Sequence, residues 1–217
     1  MKNIKFLALV CAISTSLFLY GCSDKKDANA NKGNNQSTQV CQTENKDSEK
    51  SEEVSMADWA GEWNNMGGYL ERPEVQDAYK TLGEKENMSA DEAKSMYLEK
   101  RACEFDGLKI EGDKVTFLST FPSDNGEVKG EGTYKFVEAK EVQHGNATLS
   151  WNVFEAENDD APYKFLLMMP IHGEESLTHF HMRYGNDKDE LFAKEKWYPT
   201  FVKPNTTNDQ IIEEITE

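Results

Sequence analysis

At 217 residues the chain has room for one folded domain plus accessory segments. Its 24 Lys and Arg against 40 Asp and Glu give a formal net charge of −16, which repels nucleic acid, because that binding rests on neutralising phosphates, and attracts cations. An aromatic content of 11%, with four Trp, is too high for a chain disordered throughout, so a core exists somewhere.

The chain opens with a short positive region, Met1 to Lys5, followed by an apolar run from Phe6 to Tyr20 and then Gly21-Cys22. A basic start, an apolar stretch too short to span a bilayer comfortably and a small residue before the cut read as a secretory signal over residues 1–22. Leu19-Tyr20-Gly21-Cys22 resembles a bacterial lipobox, in which Cys22 is lipidated and becomes the mature N-terminus. The expected location is therefore extracytoplasmic, on a lipid anchor in the plasma or outer membrane. Residues 23–54 are rich in Asp, Lys, Asn, Gln, Ser and Glu with almost no large apolar side chains. Such a stretch cannot bury enough surface to offset its conformational entropy, and it reads as a disordered tether. Once Cys11 leaves with the signal and Cys22 is modified, Cys41 and Cys103 remain, and no catalytic or metal role is assigned to either.

The folded domain is expected over residues 55–217, opening at Asp58-Trp59-Ala60-Gly61-Glu62-Trp63. Pro73 and Gly83 bracket one expected helix. A second begins at Ser89, with Glu92 placed for a capping box, and its expected packing face is Ala93, Met96, Tyr97 and the stem of Lys100. From Phe105 the rhythm changes to period two: Leu108 and Ile110 alternate with charges, Glu111-Gly112-Asp113 turns the chain, and Val115 and Phe117 answer. Further strands are expected over 132–138, 148–154, 163–169 and 177–184, and a short amphipathic helix over 209–216 carries Ile211, Ile212 and Ile215. Short strands at this spacing predict a mainly β fold, an antiparallel meander closing into a barrel or sandwich with accessory helices.

Three of the four histidines fall within ten residues, at His172, His179 and His181. On a strand, His179 and His181 share one face while Phe180, Met182 and Tyr184 share the other. Two imidazoles from one strand and a third across the Gly173-Glu174-Glu175 turn make a candidate site for Zn²⁺, Cd²⁺, Ni²⁺ or Cu²⁺. Water, or a carboxylate such as Glu174 or Glu175, could take a fourth position. Phe165 to Pro170 could line an apolar pocket, although core packing is the commoner use of such a run. The domain shows no G-x-S-x-G, no H-E-x-x-H and no phosphate-cradling glycine loop.

These residues together resemble the ZinT (YodA) family of extracytoplasmic zinc-binding proteins. The resemblance is carried by Asp58-Trp59-Ala60-Gly61-Glu62-Trp63, by His179-Phe180-His181, by Tyr184-Gly185-Asn186-Asp187, by Trp197-Tyr198-Pro199-Thr200 and by the tail Ile211 to Ile215. It implies a lipocalin-like (calycin) barrel with N-terminal helices and a short C-terminal helix. It also implies zinc held in the barrel mouth by His179, His181 and an earlier histidine. Pro170 stands at that earlier place, with His172 two residues beyond, and a two-residue slip preserves strand parity. The implied function is to scavenge zinc or deliver it to the zinc-binding component of an ABC importer. Release on protonation would make affinity fall between about pH 7 and pH 5. Two other functions fit the residues: a zinc enzyme using three histidines and a metal-bound water, and a lipocalin-like carrier of a hydrophobic molecule.

Overall fold

The computed structural model describes residues 54–173 and 177–217. The expected signal, the lipobox with Cys22, residues 23–53 of the expected tether, and Glu174 and Glu175 lie outside the described residues.

Eight strands close into an antiparallel barrel whose neighbours follow chain order. They are β1 (Gly61–Asn65), β2 (Gly107–Glu111), β3 (Lys114–Leu118), β4 (Val128–His144), β5 (Ala147–Ala156), β6 (Phe165–Met168), β7 (His179–Gly185) and β8 (Thr200–Val202). The ring closes where Asn64 pairs with Val202 and Asn65 with Phe201, so β1 and β8 shield each other's edges. Between β1 and β2 lie α1 (Gly67–Leu70), α2 (Ala78–Glu86) and α3 (Ala90–Arg101); α4 (Lys188–Ala193) precedes β8, and α5 (Asn208–Thr216) follows it.

Alternation explains the interior. Leu108 pairs with Phe117 and Ile110 with Val115 across the turn at Gly112, whose φ of +59° suits glycine. All four enter one core with Trp63, Tyr134, Phe154, Leu166, Met168, Phe180, Met182, Tyr184 and Phe201, so every strand contributes. The rings touch: Trp63 meets Phe180 edge-on at 4.8 Å, and Phe201 stacks on Phe105 and on Phe180 at 5.5 Å each. The run beginning at Phe165 is divided by the pleat, with Leu166 and Met168 inside and Leu167 packed outside against Trp151 and Val153. Core packing, not pocket lining, is its use.

The helices build a second apolar layer from Tyr69, Leu70, Tyr79, Ala93, Tyr97, Leu177, Val202, Ile211 and Ile215. α3 starts at the expected capping box, with Ser89 and Glu92 each bonding the other's backbone N–H. Its buried stripe runs Ala93, Tyr97, Arg101, while Met96 is 39% exposed. A four-residue spacing keeps one face inward, and Met96 falls beside it. Gly83 does not end its helix. Pro73 opens a separate 3-10 turn, and α2 passes through Gly83 to a left-handed Asn87 at φ 58°. The missing side chain at Gly83 serves packing instead: a Cβ there would stand 2.8 Å from the Met88 carbonyl oxygen.

Candidate metal centre

Along β7, Phe180, Met182 and Tyr184 enter the barrel core, so His179, His181 and Arg183 face outward. His179 pairs with Val202 and His181 with Thr200, and Val202 belongs to the layer beneath the helices. The histidine pair therefore lies on the outer face of the wall, toward α3 and α5.

His172 arrives by an irregularity. Met168 pairs with Met182, and His172 pairs with His179, so the chain spends four steps from Met168 to His172 against three from Met182 to His179. The extra residue is a bulge containing Pro170, which has no N–H to give to a ladder. Unbroken alternation from inward-facing Met168 would have turned His172 inward too; one inserted residue turns it to the face of His179. Both backbone bonds of the pair form, His172 N–H to His179 C=O at 2.9 Å and the reverse at 2.8 Å. The carbonyl of Met169 accepts from the Trp59 indole at 2.9 Å.

The three rings converge, with centroids 4.2 Å apart for His172 and His179, 5.2 Å for His172 and His181, and 5.1 Å for His179 and His181. One ring nitrogen from each lies within 4.8 Å of the other two. Nδ1 of His172 donates to the Pro170 carbonyl at 2.8 Å and Nδ1 of His179 to the Leu177 carbonyl at 2.9 Å. A carbonyl only accepts, so both rings keep the proton on Nδ1 and offer the Nε2 lone pair. Gly173, at φ +85°, makes room: a Cβ there would stand 2.7 Å from His179 Nδ1 and nearer still to the Leu177 carbonyl.

Burial, then the nearby Arg101 charge, hold His181 well below the ordinary imidazole range. Burial likewise lowers His179, partly opposed by its bond to Leu177 and by the Glu214 carboxylate. Both rings are thus neutral at physiological pH, the form that coordinates metals. Nitrogen ligands at ~2.0–2.1 Å from one zinc ion stand roughly 3.3 Å apart, so a small contraction of this cluster would bring three onto one ion.

Sequence reasoning missed the polar frame around the pair. Arg101 is 4% exposed and reaches the Tyr198 carbonyl at 3.2 Å, Thr200 Oγ1 at 2.7 Å, the Tyr97 hydroxyl at 3.2 Å and Glu214 on α5 at 2.9 Å. Its signal was position, four residues beyond Tyr97, but a charged residue is not expected on a packing face. Thr200 lay inside the Trp197-Tyr198-Pro199-Thr200 motif without an assigned task. His144 stays apart from the trio, at the end of β4, with Nδ1 3.4 Å from the Tyr198 hydroxyl. Cys103 also takes no part: burial raises its thiol to about 11, and Tyr184 donates a hydrogen bond to it at 3.6 Å.

A family model described as ZinT (YodA) periplasmic lipocalin-like zinc-recruitment matches residues 36–217. Zinc-binding protein AdcA of Streptococcus pyogenes serotype M1 is 30% identical over 165 residues, which make up 74% of this chain but 32% of that protein's length. Probable metal-binding protein YrpE of Bacillus subtilis (strain 168) is 24% identical over 164 residues, 74% of this chain and 63% of that one. Among solved structures, the Zn(II)-bound ZinT-like domain of Streptococcus pneumoniae AdcA aligns over 76% of this chain and 91% of its own, with a TM-score of 0.61 and 21% identity. Zn(II)-bound AdcA from the same organism gives a TM-score of 0.63 over 75% of this chain and 35% of its own, also at 21% identity. At such identity the structural likeness establishes the fold.

Proposed function

The chain belongs to the ZinT (YodA) family, and on that premise we propose that it is a zinc-capturing lipoprotein in which His172, His179 and His181 hold one divalent ion. The observation that carries this reading is the convergence of three imidazole nitrogens within 4.8 Å, from residues on two chain segments. The backbone bonds at His172 and His179 aim them, and burial keeps His179 and His181 unprotonated. Zinc is cargo here. Three histidine ligands leave a fourth position to water or to an incoming donor, which suits capture followed by handover.

The proposal extends to place and partner. Cys22 carries the lipid anchor, and the recipient is the zinc-binding component of an ABC importer. The AdcA proteins support a partnered role, since this chain matches 32% of the length of one of them and the remainder is joined to the matching part.

A binding role is better supported than catalysis or lipid carriage. The Glu214 carboxylate, which acts on His179, is committed to Arg101 rather than free as a general base. A hydrophobic cargo would have to displace Trp63, Phe105, Phe180 and Phe201 from the barrel interior. Calorimetric titration of the metal-free mature chain with zinc, cadmium, nickel and copper tests the reading. It requires one high-affinity zinc ion per chain, and no saturable zinc binding would end it.

A further inference from the structure

The geometry points to Thr200 and Arg101 as positioning residues that fix the tautomer of His181 and so present its Nε2 to zinc. This rests on the trihistidine site proposed above.

At His172 and His179 the acceptor is a carbonyl, which settles the tautomer alone. At His181 the partner of Nδ1 is a hydroxyl, Thr200 Oγ1 at 2.9 Å, which could in principle donate or accept. Its neighbours remove the choice. The Thr200 hydroxyl has one proton, and the Tyr198 carbonyl takes it at 2.9 Å. One lone pair accepts from Arg101 Nη1 at 2.7 Å. Only a lone pair is left for His181, so Nδ1 donates, carries the proton, and leaves Nε2 free. Thr200 is fully buried.

Arg101 has two opposed effects, and Thr200 decides between them. Nη1 also lies 3.3 Å from His181 Nδ1. Guanidinium only donates, so without the hydroxyl it would favour a lone pair on Nδ1 and push the proton to Nε2, the nitrogen zinc needs. With Thr200 present, the same Nη1 saturates the hydroxyl and drives Nδ1 to donate. Glu214, Tyr97 and the Tyr198 carbonyl hold the guanidinium at that point.

Long-range proton–nitrogen NMR of the imidazole rings in the metal-free mature chain, at about pH 8 where imidazole is neutral, reads the tautomer without any zinc. The unsubstituted protein should show His181 protonated on Nδ1. Thr200→Val, which keeps the shape and removes the hydroxyl, should move the proton to Nε2 and weaken zinc binding about 10–100-fold. Thr200→Ser should restore both. An Nε2–H tautomer in the unsubstituted protein overturns the assignment, as does Thr200→Val with the Nδ1–H form intact, even if its affinity falls. Were Thr200→Val not to fold, the spectra of the parent and of Thr200→Ser still decide. Failure of the site itself looks different: His181→Ala would keep its zinc while the tautomer result stood.

Discussion

Glu214→Gln removes the charge that balances Arg101, and the structure sets the size of the effect. Arg101 is 4% exposed and Glu214 13%, and their contact of 2.9 Å ties α3 to α5 over the outer wall. Arg101 Nε is already buried without a partner. Taking away the carboxylate leaves a buried guanidinium supported by neutral oxygens alone. Breaking one side of a buried pair costs about 3–5 kcal/mol, and the residual exposure of Glu214 favours the lower end. For a domain of this size each kcal/mol is worth about 2–4 °C, so Tm should fall by roughly 6–12 °C. Zinc affinity should fall too, because an uncompensated positive charge then stands beside His181. Thermal unfolding followed by circular dichroism, with and without zinc, measures both. Arg101→Met combined with Glu214→Leu should regain much of the stability while leaving zinc binding impaired, since it removes the stranded charge but also the donor to Thr200. A Tm for Glu214→Gln within about 2 °C of the parent would refute the reasoning.

Acid should act on stability and on binding in the same direction. Burial depresses His179 and His181 in the folded chain relative to the ordinary value near 6.5. The unfolded chain therefore takes up protons first, and the metal-free protein should lose stability as pH falls below about 6.5, not above it. The same depression limits proton competition, so the steep loss of zinc affinity belongs below about pH 6.5; a large loss between about pH 7.5 and 6.5 would show that these rings titrate as exposed ones do. Gly173→Ala should cost about 1–3 kcal/mol in urea unfolding, from the left-handed backbone and the crowding of Leu177 and His179, and it should weaken zinc binding by moving the turn. Deleting Ile171 removes the extra residue of the bulge and leaves three steps on each strand, so His172 should stay opposite His179 on the same face and keep its contribution to zinc affinity; loss of that contribution in a zinc titration would show that the bulge itself aims the ring.

The barrel was legible wherever the chain is long enough to show its period. The hairpin around Gly112 was read from its alternation and its turn, and the capping box at Ser89 was read from two residues. β1 and β8 were not read as strands. Five residues with two asparagines, and three residues at Thr200–Val202, are too short for alternation to rise above noise, yet their pairing closes the ring. Strand parity likewise foresaw the shared face of His179 and His181, because two residues on one regular strand need no tertiary information. His172 reaches that face, as the two-residue slip from Pro170 allowed, but it does so through a bulge that alternation in the sequence does not mark. Arg101 and Thr200 lie 80 and 19 residues from His181, and only the packing of α3 and β8 against β7 brings them to it.

The measurement that tests the central claim most directly is zinc stoichiometry and affinity, by titration of the metal-free mature chain and of its His172→Ala, His179→Ala and His181→Ala forms. The account predicts one zinc ion per chain in the parent and a large loss of affinity in each of the three variants, with the fold retained by circular dichroism. Undiminished zinc binding in His179→Ala and His181→Ala would contradict it, because the ion would then be held somewhere other than the outer wall of the barrel.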